Sequence, residues 1–298
     1  MIKFAFYLVG KKGFFCLESF VETFGVRGIA FVVGARDKGM LQDYFIEVEK
    51  FCSIKGIPFY ERNVVPPARA SEANYSFAIG WKWMIRGGRN LIVFHDSLLP
   101  KYRGFAPLVN MLINGEPAIG VTALLANEEY DRGNILAQES RNISYPIRIE
   151  RAIDHLLPLY AKLVKAIAGQ ILKGCELASY EQNEREATYS MWRDENDYLI
   201  DWSLDSAAVK RFIDSVGYPY KGASALLNGA HARILDAEVV GDVVVEDRTR
   251  HLGKIIFFAN QCPVVVCGTG LLKLCLITAD ADGSVISQIS FRSRFEGC

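Results

Sequence analysis

The chain has 298 residues, 50% hydrophobic and 23% charged, ordinary values for a globular protein long enough for a large core and for two domains. That composition excludes a disordered chain. Lysine plus arginine equals aspartate plus glutamate at 34 each, so no overall basic field exists to attract tRNA or an anionic membrane surface, although a local basic patch is compatible with that balance.

Seven cysteines, at positions 16, 52, 175, 262, 267, 275 and 298, are odd in number and lack a framework spacing, which reads as reduced thiols. Cys262 and Cys267 flank the run Val264 to Val266 as packing residues. The opening Lys3 and FAFYLV have a superficial likeness to a signal peptide, but the apolar stretch is too short and Lys11-Lys12 interrupts it. No window reaches the length of a transmembrane span, and the expected setting is the cytoplasm.

In chain order, Lys3 to Val9 is predicted as a strand, Phe14 to Phe24 as a helix, Ile29 to Val33 as a strand, Leu41 to Ile54 as a helix and Pro58 to Glu61 as a short strand. Phe77 to Trp81 and Leu91 to Phe94 continue this βαβ series. The expected fold class is α/β, a Rossmann-like, mostly parallel twisted sheet with helices on both faces. No Gly-x-Gly-x-x-Gly run follows the first strand, so hydride chemistry on a dinucleotide loses support.

The apolar run Leu91 to Phe94 is bounded by polar residues like a buried parallel strand, which puts His95 where the strand ends and a loop begins. Ligands of open α/β sheets bind at that edge. Pro100 and Arg103-Gly104 then force an irregular stretch, and Ala106 to Asn114 has apolar residues at helical spacing up to a Gly115 cap. Val121 to Leu125 is the next strand, with Asp131 and Gly133 in the turn after it, so two titratable groups are expected at the ends of neighbouring strands. Taken singly, His95 reads as a satisfied histidine at a strand end and Asp131 as a turn residue. The four histidines, His95, His155, His231 and His251, are not at ligand spacing, and no metal is expected.

Arg148 to Leu172 is predicted as one long helix with a kink at Pro158, and Ser179 to Thr188 as a polar linker. The expected domains are residues 1–178, carrying the chemistry, and 179–298, a linker followed by a smaller domain. After Ala223 come the short β runs Ala232 to Val239, Lys254 to Phe258, Pro263 to Val266 and Leu271 to Ile277, the pattern of a small antiparallel OB-like barrel.

The residues His95, Ser97, Leu98, Leu99, Pro100, Arg103, Gly104, Pro107, Gly120, Val121, Thr122, Asp131 and Gly133 stand at the places of a pattern that resembles the folate-dependent formyltransferases. The wording KYRG-x-APL-x-x-x-LINGE is closer to members that formylate amino sugars on nucleotide carriers, such as the aminoarabinose branch of lipid A modification, than to methionyl-tRNA formyltransferase. In the second half, stretches such as Trp192-Arg193 and Ile200-Asp201-Trp202 resemble the C-terminal module of the same family.

The resemblance implies His95 and Asp131 as the catalytic pair and N10-formyltetrahydrofolate as cosubstrate. It further implies Trp83, Met84 and Ile85 on one wall of the pterin slot and Asn127, Glu128 and Tyr130 on the other, although an apolar stretch after a strand is also ordinary core. Lys82, Ser97, Lys101, Arg103, Tyr218 and Tyr220 are the expected contacts to a UDP- or dTDP-linked amino-deoxy sugar used in surface glycan biosynthesis, with a 4-amino-4,6-dideoxy sugar the expected kind. Lys11 and Lys12 read equally as phosphate grips and as solvated lysines. Nucleic acid and membrane are not expected partners, and a homodimer is compatible with the sequence. Formylation of methionyl-tRNA and a catalytically idle folate or nucleotide-sugar binding protein stand as alternatives.

One position departs from the family. Where the family has an asparagine two residues before the histidine, this chain has Val93, and removing one such oxyanion donor usually costs about a hundredfold to a thousandfold in rate. Protonated His95, a backbone N–H, Asn127 or Asn110 are the candidate replacements.

Overall fold

In the computed structural model, residues 1–64, 67–85 and 90–297 are described; Cys298, counted above among the reduced thiols, lies outside them. The chain forms two compact units. One comprises Met1–Leu108, Pro117–Ile143 and Ala152–Trp192; the other comprises Val109–Glu116, Ser144–Arg151 and Arg193–Cys298.

The first unit is built on β1 (Phe4–Leu8), α1 (Gly10–Phe24), β2 (Ile29–Gly34), α2 (Phe45–Lys55), β3 (Phe59–Glu61), β4 (Tyr75–Ile79) and β5 (Leu91–His95). After these come β6 (Arg103–Gly104), α3 (Pro107–Ile113), most of which belongs to the second unit, β7 (Ala118–Leu125), β8 (Ile135–Asn142), α4 (Ile149–Leu172), which belongs to the first unit from Ala152 on, and β9 (Tyr189–Ser190). A seven-stranded sheet has the order β3-β2-β1-β4-β5-β7-β8, parallel from β3 through β5 and antiparallel at β7 and β8. β1 and β2 are buried throughout, which explains their unbroken apolar sequences: strands covered on both faces have no polar side.

Alternation along β1 sorts the core into two faces. Phe4 and Phe6 meet Phe20 of α1 edge-on at 5.2 and 5.0 Å, and Phe77, Phe94 and Tyr160 of α4 continue that layer. Tyr7 faces the opposite way, edge-on to Phe31 at 6.2 Å and to Trp81 at 5.4 Å. The α4 helix runs unbroken through Pro158, which lies on its exposed side, so the sequence-predicted kink is not what ends or divides it.

The chain winds from β1 outward through β2 and β3 and then returns to place β4 on the other side of β1. That reversal makes the ends of β1 and β4 the topological switch point, the place where open α/β sheets form their ligand crevice. Gly80 lies there: at φ +64°, an added Cβ would lie 2.4 Å from the Val9 carbonyl oxygen. The strand predicted as Phe77 to Trp81 therefore stops at Ile79, and Trp81 to Ile85 lie outside it.

The second unit carries α5 (Ser206–Ser215) and β10 (Ala223–Leu227), β11 (Ala230–Val240), β12 (Ile255–Ala259), β13 (Cys262–Val266), β14 (Leu271–Ala279) and β15 (Phe295–Glu296). Its sheet has the order β12-β13-β14-β11-β10-β15 and is antiparallel throughout, consistent with an OB-like domain. Asp205 caps α5 by accepting from the Ala208 N–H at 2.8 Å. Among the described residues, no helix is long and apolar enough to cross a membrane.

Replacing Gly80 by alanine combines a left-handed backbone with a clash against main chain, and a loss of about 2–4 kcal/mol in urea unfolding is expected. A loss below about 1 kcal/mol is incompatible with this close approach.

Candidate active site

His95 is the last residue of β5 and is 7% exposed, opposite Thr122 of β7. Its Nε2–H donates to the Tyr102 carbonyl at 2.7 Å, and its Nδ1 faces Asp131 Oδ1 at 3.5 Å. A carbonyl only accepts, so Nε2 carries a hydrogen. A neutral ring then presents a lone pair at Nδ1, whereas the doubly protonated ring satisfies both neighbours. The 3.5 Å gap is too long for a good hydrogen bond, so the Asp131 contact is the weaker of the two that the imidazole makes.

The sequence places Asp131 at the end of a strand beside His95, and the structure corrects this. β7 is antiparallel to β5, so its last residue, Leu125, sits opposite Ile92 and away from His95. Asp131 reaches the imidazole because residues 126–134 fold back. Asp131 itself is left-handed at φ +56°, and its Oδ2 accepts from the Gly104 N–H at 2.9 Å. Gly133 is required there, since a Cβ would fall 1.6 Å from the Leu125 carbonyl oxygen.

The remaining motif residues hold loops. Thr122 Oγ1 donates to the Ser97 carbonyl at 2.6 Å and accepts from the Leu99 N–H at 3.1 Å. Gln138 Nε2 donates to both Thr122 Oγ1 (2.8 Å) and the Leu99 carbonyl (2.9 Å). Gly120 leaves space for Leu98, whose Cδ2 would lie 2.5 Å from an added Cβ, and Pro107 starts α3, where its missing N–H costs nothing. Beyond His95, Lys12 pairs with Asp96, which also receives the hydroxyl of the buried Tyr160.

Two family descriptions match the chain: Formyl transferase over residues 73–154, which include His95 and Asp131, and Formyl transferase, C-terminal domain, over residues 193–289. The chain belongs to the formyl transferase family. A methionyl-tRNA formyltransferase of Citrifermentans bemidjiense is 30% identical over 180 residues, 60% of this chain and 54% of that protein. The chain thus spans about half the length of the methionyl-tRNA formyltransferases it matches.

Among solved structures, the sugar 3N-formyltransferase WlaRD, crystallised with dTDP and 5-N-formyl-THF, superposes with a TM-score of 0.68 at 17% identity, covering 92% of this chain and 97% of its own. The N-formyltransferase of Helicobacter canadensis, crystallised with folinic acid and dTDP-3-aminofucose, gives 0.67 at 16% identity, covering 92% and 99%.

Against this formyl transferase frame, the sequence-predicted contacts divide. Trp83 lies between two cations, the Arg62 guanidinium 4.5 Å and the Lys82 ammonium 5.3 Å from its ring centroid, while Lys82 also pairs with Asp37 at 2.7 Å. Met84 is exposed and Ile85 half-buried, packed on the layer of Tyr7, Ala78 and Trp81. Asn127, Glu128 and Tyr130 are exposed; Asn127 Oδ1 accepts from the Glu129 N–H at 3.0 Å, and the Tyr130 ring is 6.1 Å from that of Phe105. Lys101 is exposed, whereas Ser97 is buried with its hydroxyl donated to the Lys101 carbonyl at 2.7 Å. Lys11 pairs with Asp154 at 2.5 Å. Tyr218, exposed, and Tyr220, half-buried, precede β10 in the second unit, as does Asn110, whose side-chain oxygen accepts from Arg193 at 2.6 Å.

Arg103 is redirected. Its side chain has no exposure, and its five N–H groups are all taken: Nε and Nη2 donate to Gln182 Oε1 at 3.0 and 2.8 Å, Nη1 and Nη2 to the Glu184 carboxylate at 2.9 and 2.8 Å, and Nη1 to the Tyr189 hydroxyl at 3.2 Å. It anchors its own chain instead of meeting a phosphate. The segment read as a linker is accordingly a strap grouped with the first unit through Trp192, so the expected boundary after residue 178 falls inside that unit, while residues 109–116 and 144–151 of the expected first domain belong to the second. Polarity suggested a linker because the partner of those polar groups, a buried guanidinium some 80 positions earlier, leaves no local signal.

Hydrogen bonds from Arg103, and after them from Arg132, hold the Glu184 carboxyl down at about 2 against partial desolvation. A carboxylate depressed by folding stabilises the native state above its unfolded pKa, and that contribution drains away as pH falls through the folded value. Melting temperature followed from pH 5 downward is expected to fall between about 4.5 and about 2, and Glu184→Gln is expected to flatten that part of the profile. An unchanged profile in the variant contradicts the clamp.

Proposed function

We propose that this protein transfers a formyl group from N10-formyltetrahydrofolate to the amine of a nucleotide-linked amino-deoxy sugar. The observation that carries the reading is the buried His95–Asp131 pair at the end of β5, set within the matched formyl transferase segment. The amine nitrogen attacks the formyl carbon and forms the new C–N bond, the carbon's bond to folate N10 breaks, and the proton lost by the amine is balanced by one gained at N10. In this reading Nδ1 of His95 exchanges that proton, Asp131 holds the imidazolium, and Tyr102 fixes the ring. The crevice beside Trp83 takes the pterin.

A sugar acceptor is supported by two solved neighbours that match over both units and were crystallised with dTDP or a dTDP-amino sugar, and by a net charge of zero. Methionyl-tRNA as acceptor is supported by the names of the sequence relatives, over 60% of the chain. A catalytically idle binding protein is the reading that Val93 favours.

The test is formyl transfer to UDP- and dTDP-linked 3-amino and 4-amino deoxy sugars, read by product mass. One added formyl group is expected, lost with His95→Asn and cut by about a hundredfold or more with Asp131→Asn. Transfer to charged tRNA alone, weakening with salt, identifies the second reading, and ligand binding without turnover the third.

Val93 shares a strand face with His95 and packs on Leu99, Leu124 and Ile135. Val93→Asn is expected to raise kcat by up to about a hundredfold while lowering the melting temperature, because it restores a donor and buries a polar group. A fall in kcat means that the donor already comes from elsewhere.

A further inference from the structure

We propose that Gln182 is a positioning residue for the reacting pair: its amide, aimed by the buried Arg103, fixes the backbone around Asp131 so that the carboxylate faces His95. The inference rests on the reading of His95 and Asp131 given above. The Gln182 side chain uses its full hydrogen-bonding capacity. Its Nε2 donates to the Asp131 carbonyl at 2.7 Å and to the Gly133 carbonyl at 2.8 Å, while Oε1 accepts twice from Arg103. The orientation admits no alternative, because a guanidinium only donates and two carbonyls only accept. A flipped amide would put NH2 against Arg103 and an oxygen against two oxygens.

The loop needs such a tie. It leaves β7 at the end of the sheet away from His95, so no neighbouring strand holds Asp131, and Asp131 keeps a left-handed conformation that a residue with a Cβ does not adopt freely. On the carboxylate side, Gly104 N–H holds Oδ2 at 2.9 Å, and Gly104 directly follows Arg103. One guanidinium therefore sets both supports of Asp131, the backbone amide at 104 by covalent neighbourhood and the side-chain amide at 182 by two hydrogen bonds. A displacement of about 1 Å at a reacting group costs on the order of a hundredfold.

Gln182→Glu tests this against the simpler idea that Gln182 only fastens the strap. The variant keeps the oxygen that Arg103 holds and loses both donors to the loop. The expected result is a kcat about ten to a hundred times lower with KM for both substrates within about twofold. An activity-independent reading accompanies it: hydrogen exchange at the Gly104 N–H is expected to accelerate by about tenfold or more, as in Asp131→Ala. The Phe105 N–H, which donates across the strap to the Ser190 carbonyl at 2.9 Å, is expected to keep its protection.

Wild-type kcat with wild-type exchange at Gly104 overturns the proposal. So does loss of protection at Phe105 together with Gly104, which assigns Gln182 to strap anchoring. If the wild-type protein formylates nothing, the functional reading fails, and the exchange at Gly104 still decides the role of Gln182.

Discussion

A guanidinium with no exposure must find an acceptor for each of its five N–H groups or carry a large desolvation penalty, and the geometry of the first unit follows from how Arg103 meets that demand. All of its acceptors lie between Gln182 and Tyr189. Satisfying the charge therefore pulls a polar segment, distant in sequence, against the loop after β5. The two-residue pairing of β6 with β9 and the Tyr102 N–H to Thr188 hydroxyl bond at 2.8 Å complete that attachment. With the strap in place, Gln182 reaches the loop that carries Asp131. Without it, the carbonyls at 131 and 133 lose these partners and the carboxylate loses its frame.

The same region concentrates unfavourable backbone. Tyr102, Ala106 and Asp131 all have positive φ, at 59°, 47° and 56°, and Tyr102 and Asp131 carry the groups that hold and face His95. Such conformations cost on the order of 1–3 kcal/mol apiece and persist only where surrounding contacts over-determine them. Here the contacts are visible: Tyr102 gives its carbonyl to His95, Ala106 precedes the helix-starting Pro107, and Asp131 is gripped through its carbonyl and its carboxylate. The glycines at 104, 120 and 133 are the complement of that strain, each sitting where a Cβ would come within 3 Å of a neighbouring chain. A site built this way arrives with its imidazole already oriented, which is the condition for rapid proton exchange with a bound amine.

This division explains what was readable in advance. The buried strands were legible because continuous apolar runs have few other uses, and His95 was legible because it terminates one of them. The partnership of His95 with Asp131 was legible through the family pattern, but its route was not. Sequence gives the end of β7 without its direction, and only the antiparallel pairing shows that the loop must double back. Arg103 was assigned to the nucleotide sugar from its residue type, its motif position and its loop on the site side, and nothing local distinguishes an arginine aimed at a ligand from one aimed at Glu184. α5 escaped because it is short and mixed in character, and β8 because its exposed half, Ser140 to Asn142, breaks the apolar alternation. The missed positioning residue, Gln182, had only one signal, a glutamine among polar neighbours, and the guanidinium that gives it meaning lies elsewhere in the chain.

Val93 is the remaining question for the chemistry, and the strand geometry narrows it. Side chains two apart on β5 share a face, so a donor at 93 would point to the same side as His95. The valine there is half-buried and packs on Leu99, Leu124 and Ile135, beside the loop that Thr122 and Gln138 hold, and also on the layer of Tyr7 and Ala78. Asn110 has its oxygen engaged by Arg193, and Asn127 uses its oxygen to close a turn at Glu129; both contacts occupy the acceptor end of the amide, whereas a developing oxyanion needs the NH2 end. Of the two N–H groups of an imidazolium at position 95, one is held by the Tyr102 carbonyl at 2.7 Å and the other is turned to Asp131 at 3.5 Å, so only the longer contact could yield to another acceptor.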